Sequence, residues 1–383
     1  MADNTQLSPA QLNQMNLSAR GIILATAVEM TQQIQSVSVD PTSQNVININ
    51  PRNVGLIKGF IVEVNGTIAN TGMTTAATRT DFGNLNALSN IQFTDLNNNV
   101  RINTSGYHLG MLNSARQGFG FGGAYSPNLP NDLGNNNWSV QTAASSIAAG
   151  ATGAVRTIYY VPLAYAADDL RGAIYANVVN ATMNLQLTIN ANPVIASGDP
   201  LNAMYTGNTG GWSGNVTVTV YQVYLDQLPQ QNGQVILPPF DLNTIYELKL
   251  TTSTGLAVGQ DYPYGFANFR DFLSVFAIYD NNGVFNVGSD INYWSLVSAN
   301  FTQMFKITPE IAALNARTIL MGDPPNGTYY FDFRRRPINT VQFGNMELNI
   351  NASSVNAPAS LIVGTEAFAQ INTLVGASSL QAG

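Results

Sequence analysis

The stretch SNIQFTDLNNNVRINTSGYHLGMLNSAR (89–116) gathers residue types that do chemistry. It holds His108, the single histidine of 383 residues, the Asp95 carboxylate, the amides of Asn97, Asn98 and Asn99, and the cation Arg116. An imidazole can act as general base or metal ligand. A metal site, however, collects several His, Cys or carboxylate ligands, and Ser–His catalysis needs an orienting acid. His108 has no such set around it. Asp95-Leu-Asn-Asn-Asn and Asp280-Asn-Asn-Gly resemble oxygen-rich calcium loops but lack the full spacing that ends in a bidentate acid. They read as tight turns between strands, with Asn and Gly accepting positive φ. GFGFGG (118–123) fits the G-x-G-x-x-G pattern without the preceding strand and following helix of a dinucleotide site, so it reads as a loop. Arg334, Arg335 and Arg336 form the one basic cluster, expected at a solvated strand end or an ion-pair site between subunits. No catalytic, cofactor-binding or metal-ligating residue is assigned, and the chain is read as a protein that is not an enzyme.

The composition points the same way. Charged residues are only 10 % of the chain, and polarity comes instead from Asn, Gln, Thr and Ser. Such neutral polar surfaces suit sheets and extensive protein contacts, whereas a free enzyme normally keeps itself soluble with charge. The net charge is -7 and the cations are scattered, so there is no basic stripe to neutralise phosphates. With no cysteine there is no disulfide framework or thiolate nucleophile. The N-terminus has neither the basic nor the apolar part of a signal peptide, and no apolar run reaches the ~20 residues of a membrane-spanning helix. Synthesis in the cytoplasm is expected.

The elements that must position these residues are legible from period. Ser8 as cap, Pro9 at the first helical position and the recurrence of Leu12, Met15, Ala19, Ile23, Ala27, Met30 and Ile34 predict an amphipathic helix over 9–34, with Gly21 as a bend. From about residue 45 the period becomes two. Met183, Leu185, Leu187 and Ile189 alternate with polar residues, as do Val216, Val218 and Val220, and Met346, Leu348 and Ile350. Asn-Gly pairs at 65–66, 232–233, 282–283 and 326–327 are read as turns. Many short strands without regular βαβ alternation predict sandwiches or jelly rolls.

The segment LDQLPQQNGQVILPPFDL (225–242) reads as a connector between two strand-rich halves that look alike in order. IQFTDLNNNV with INTSGYHLGMLNSA matches FAIYDNNGVF with NVGSDINYWSLVSA. This places Asp95 on Asp280, Ser105 on Ser289, His108 on Asn292, Leu112 on Leu296 and Ser114-Ala115 on Ser298-Ala299. TIYYVPL (157–163) matches GTYYFDF (327–333), and MNLQLTIN (183–190) matches MELNIN (346–351). Internal duplication of a β module is the reading.

Several of these stretches also carry a family resemblance: LSPAQLNQ, NVGLIKGFIVEV (53–64), ALSNIQFTDLNNNVRINTSGYHL (87–109), YLDQLP with NGQVILP, NNGVFNVGSDINYWSLVSANF (281–301) and NGTYYFDFRRRPINT (326–340). In order and nearly end to end, the chain resembles the double jelly-roll major capsid proteins of tectiviruses, the tailless, internally membraned phages. The type infecting Gram-negative bacteria is the better match. The resemblance implies an all-β chain of two eight-stranded jelly rolls with a long N-terminal helix and a few short helices in loops. The divisions expected are a helical arm at 1–50, a first jelly roll at 51–228, a linker at 229–239, a second jelly roll at 240–370 and a tail at 371–383. It further implies homotrimers tiling a capsid above an internal membrane. Partners would be other copies of the chain, minor capsid, vertex and membrane proteins, and the membrane itself through the N-terminal helix, without direct contact to nucleic acid. A virion spike or carbohydrate-binding adhesin is the alternative, but Trp138, Trp212 and Trp294 are too dispersed to suggest an aromatic groove.

Overall fold

The computed structural model describes residues 8–43, 45–71, 74–80, 82–116, 141–143, 146–177, 182–190, 194–195, 203–207, 211–285, 288–298, 303–320, 325 and 327–369. The first half has eight principal strands: β1 (Val28–Val39), β2 (Val46–Ile49), β3 (Leu56–Asn70), β4 (Leu88–Thr94), β5 (Val100–Thr104), β6 (Thr152–Pro162), β7 (Asn184–Ile189) and β8 (Trp212–Asp226). They form two sheets, ordered β1-β8-β3-β6 and β2-β7-β4-β5. The second half repeats this with β9 (Ile245–Thr254), β10 (Asp261–Gly265), β11 (Arg270–Asn281), β12 (Ile291–Ser298), β13 (Gln303–Ile307), β14 (Thr328–Asp332), β15 (Met346–Ala352) and β16 (Ala359–Ala369). Its sheets run β9-β16-β11-β14 and β10-β15-β12-β13. In each half the order is first-eighth-third-sixth and second-seventh-fourth-fifth, so the fold is a jelly roll built twice.

Alternation explains the strands. In β8, Val216, Val218 and Val220 are buried while Thr217, Thr219 and Tyr221 are partly open, and Val218 and Val220 lie across from Val64 and Val62 of β3. Four helices matter to the argument: α1 (Pro9–Thr26), α2 (Gly106–Ala115), the short α3 (Pro239–Asn243) and α4 (Pro309–Leu320). Helices α2 and α4 occupy the same place, between the fifth and sixth strands of their halves.

Three expectations need correction. Helix α1 ends at Thr26, and residues 28–39 form an edge strand paired along β8. Residues 30 and 34 are four apart, a spacing that suits one face of a helix and equally one face of a strand. The run of Val, Thr and alternating Ser that follows decides for the strand. The helix starts as expected: Ser8 Oγ accepts the Gln11 N–H at 3.3 Å, Gln11 Oε1 accepts the Ser8 N–H at 2.8 Å, and no break occurs at Gly21. Second, Asn65-Gly66 is not a turn but lies inside β3, where the backbone of β8 passes too close for a side chain at Gly66. Third, the pairing of Asp95 with Asp280 is out of register, since one turn joins the fourth and fifth strands of its half and the other the third and fourth. Leu296 is a strand residue of β12, so the helix of the first half recurs at α4 and not there. The matches at 157–163 with 327–333 and 183–190 with 346–351 do fall on equivalent strands, sixth on sixth and seventh on seventh.

The halves share one continuous sheet. Strand β5 runs parallel beside β9, with Ile102 opposite Leu248 and Asn103 opposite Lys249. Strand β16 is covered on both sides: Leu361, Val363 and Ala367 enter the core of the second half, while Ile362 and Phe368 belong to the core of the first.

Candidate functional site

The structure places the 89–116 segment in a strand, a turn, a strand and a buried helix. Asp95 is buried in the turn between β4 and β5. Its Oδ1 accepts the N–H groups of Asn97 and Asn99, both at 2.9 Å, and its Oδ2 accepts from Arg101 Nε at 2.6 Å. Arg101 in turn donates Nη1 to the Gly172 carbonyl at 2.9 Å. Asn98, at φ 61°, makes the bend. Asp280 works alike, accepting the Gly283 N–H at 2.6 Å beside Asn282 at φ 58°. Both carboxylates therefore close turns. Among the described residues, no group of three His, Cys, Asp or Glu side chains is placed to hold a metal ion.

His108 sits in α2, buried, with Nδ1 2.6 Å from Thr104 Oγ1. Its ring stacks on Phe276 of the second half, centroids 5.3 Å apart, and lies over Gly364 of β16. Burial lowers its pKa to about 3, so it is neutral at ordinary pH and serves as a flat, polar-edged spacer.

What α2 gathers is the junction between the halves. Arg116, at its C-terminal end, forms an ion pair with Glu366 of β16, both buried. Glu366 Oε1 also accepts from Tyr246 Oη at 3.0 Å, and its Oε2 from Ser274 Oγ at 2.6 Å. Arg116 Nη1 donates to the Tyr165 carbonyl at 2.8 Å, and its guanidinium lies 4.4 Å from the Tyr165 ring centroid. A carboxylate with this many donors is a satisfied buried charge, which holds geometry rather than reacting. Arg334 of the basic cluster joins in, donating Nη1 to the Ala115 carbonyl at 2.8 Å and Nε to Asp332 Oδ1 at 2.9 Å; Arg335 and Arg336 are exposed. The sequence offered one sign of this network: Glu366 is the sole charge in the eleven-residue strand ASLIVGTEAFA. Nothing local pointed to its partner 250 positions away.

A second polar knot ties α1 down. Asn16 is buried and donates Nδ2 to Asp241 Oδ1 at 3.0 Å, while its Oδ1 accepts the Phe240 N–H at 2.9 Å. Arg20 clasps the same carboxylate at 2.6 and 2.5 Å and reaches Asp169 at 3.4 Å. Its hydrogen bonds to Asp241 push the Arg20 pKa up. Ala19 and Ile23 complete the buried stripe, whereas Met15, Leu17 and Ile22 are exposed. An open cleft of about 780 Å³ separates α1 from the connector around Val235 and Ile236. No helix among the described residues is long and apolar enough to cross a membrane. Trp294 is buried against Tyr329 and Phe331, and Trp212 is half-buried, so these two form no open aromatic platform. Trp138, the GFGFGG stretch and the 371–383 tail lie outside the described residues.

The buried groups thus hold a scaffold together, and what the molecule presents outward is surface. Comparison with known proteins bears on that surface. The family model for the N-terminal part of the P3 major capsid protein matches residues 2–228, and the model for its C-terminal part matches residues 243–382. The chain is 39 % identical to the major capsid protein P3 of Enterobacteria phage PRD1 over 393 residues, covering 99 % of each. Among solved structures it is similar to a chain in the atomic structure of Sulfolobus Turreted Icosahedral Virus (TM-score 0.64, 13 % identity, 90 % of this chain and 92 % of that one). It is also similar to a chain of the PBCV-1 virus capsid (TM-score 0.55, 12 % identity, 89 % and 94 %). Those two likenesses concern the fold.

Proposed function

The chain belongs to the P3 major capsid protein family, and we propose that it does its work as a homotrimer whose six jelly rolls form a pseudo-hexagonal tile. It is the structural subunit of the capsid shell of an internally membraned phage. The observation that carries the trimeric reading is the duplication itself. Two rolls of identical strand order are fused side by side through β5 and β9, so three chains supply six similar walls. Residues 229–239 serve as the link between the rolls. Helix α1 lies beneath, toward the membrane, with Met15, Leu17 and Ile22 facing outward. Minor capsid, vertex and membrane proteins of the virion are its further partners, and the genome is not touched directly.

Such a subunit acts by area and shape, not by chemistry. With so few charges its association depends little on ionic strength. Native mass spectrometry of the purified protein tests the reading: a trimer that persists in moderate salt is expected, and a stable monomer refutes it.

A further inference from the structure

The junction between the two rolls is filled along only part of its length. Phe276 and Ile278 of β11 and Ile362 of β16 face the first roll. Helix α2 covers this face at Phe276 and Gly364, where the His108 ring lies. Further along the same strands come Asp280 and Ser360, which are paired, and there the junction opens into a pocket of about 280 Å³. Asn86 and Asn190 of the first roll stand on its other side, and Ser105 and Tyr107, at the start of α2, complete it. We propose that this pocket binds one neutral sugar ring.

Charge narrows the choice of ligand. Half-buried Asp280 is the one carboxylate of the lining, and no Lys, Arg or His stands with it. An anion would meet a like charge and find no cationic side chain to pair with. A metal ion fares little better. The pocket abuts the N-terminus of α2, the positive end of a ten-residue helix. One carboxylate in a space that holds about nine waters, at ~30 Å³ each, is also a poor cage for an ion. A neutral ligand rich in hydroxyl groups remains. Eight of the eleven lining residues carry a hydroxyl, amide or carboxylate to meet such groups, while Leu88, Leu250 and Ile362 supply apolar area for the C–H face of a ring. Asp280 is the strongest of these acceptors, because hydrogen bonds to an ionised oxygen are roughly twice as strong as neutral ones. The Gly283 N–H, 2.6 Å from Asp280 Oδ1, already holds the carboxylate in place, so little order is lost on binding.

The pocket's position in the chain gives it an outlook. Arg270, at the other end of β11, is level with Ala369 and Ile245, just after α3, and α3 carries the Asp241 that anchors α1. Ten residues of strand, about 33 Å, therefore separate the pocket from that end. With α1 toward the membrane, as read above, the pocket lies on the outward side of the shell. Only this outlook rests on that reading; the binding does not.

Saturation-transfer NMR of the purified full-length protein tests the site, with the methyl glycosides of glucose, galactose, mannose and N-acetylglucosamine as probes. Binding of at least one is expected, in the millimolar range usual for so small a ligand. Thr252→Phe fills the pocket from an exposed position of β9 and is expected to abolish the signal. Thr251→Phe, also exposed but on the opposite face of the strand, is expected to leave it unchanged. Asp280→Asn keeps an acceptor for the Gly283 N–H and is expected to weaken binding about tenfold. The methyl glycoside of glucuronic acid is expected to fail with the wild type and to gain in Asp280→Asn. Thermal melts check that the variants fold; should Thr252→Phe not fold, Asp280→Asn and the uronic acid carry the test. No signal from any neutral glycoside overturns the proposal, and so does a signal that a folded Thr252→Phe leaves intact. Either result of a last arm supports the ring and assigns its source. An oligosaccharide ending in the preferred sugar binds as well as the glycoside when the source is a surface glycan, and not at all when it is a free sugar.

Discussion

His108 makes acid a specific stress on the junction between the halves. Its pKa is about 3 when folded, against an ordinary 6.5, because burial disfavours the imidazolium. Unfolded chains therefore bind a proton between those values that folded chains do not, and stability falls as pH drops through 6.5 toward 3. Between pH 7 and pH 5 the loss comes to about 2 kcal/mol, roughly 1.4 kcal/mol for each pH unit below 6.5. Among the described residues the ring lies against Thr104, Phe276 and Gly364, with no carboxylate beside it to offset this. The chain has no second histidine, which makes the comparison clean. Replacing His108 with Phe and Thr104 with Val keeps an aromatic stack and leaves no hydroxyl unpaired. Chemical denaturation at pH 7, 6 and 5 should show the slope in the wild type and most of it gone in the double variant, whatever the double variant's absolute stability. An identical slope in both proteins refutes the reasoning.

Removing the Glu366 charge by Glu366→Gln should strand Arg116 in the interior and cost about 3–5 kcal/mol in denaturant unfolding, whereas Arg116→Met combined with Glu366→Leu should recover much of it. Gly364→Ala puts a methyl about 2.6 Å from His108 Cδ2 and Cε1, and overpacking of this kind costs about 1–3 kcal/mol; His108→Ala in the same chain should relieve it, read as a restored melting temperature. Asp241→Asn weakens the clasp of Arg20 and Asn16, so α1 should become the first site of cleavage in limited proteolysis while the two rolls resist.

Much of the fold was legible because strands announce themselves by period. The valines of β8, and the sixth and seventh strands of both halves, matched where apolar alternation is enforced by a shared core. The Asp95 and Asp280 turns matched for another reason. Asp, Asn and Gly answer the local demand for positive φ, which arises at any tight turn, and the two turns join different strand pairs: β4 to β5 in one half, β11 to β12 in the other. Turn chemistry is a poor ruler for aligning repeats. The arm was overextended at Met30 and Ile34 because their spacing satisfies both periods. The junction was illegible because its charges meet across 250 residues, and neither Arg116 nor Glu366 has a local reason to be where it is.

The double covering of β16 bears on how the chain is made. Its even-numbered face has no counterpart until α2 and β5 exist, and synthesis delivers those first, so a ready-made platform waits when the last strand leaves the ribosome. A circularly permuted gene that translated residues 240–369 ahead of the rest would release a sheet with one oily side bare, a sticky intermediate at the concentrations of an infected cell. The order of the two rolls in the gene thus decides which side of the junction waits bare during synthesis: α2 and the edge of β5, rather than the broad sheet that holds β16.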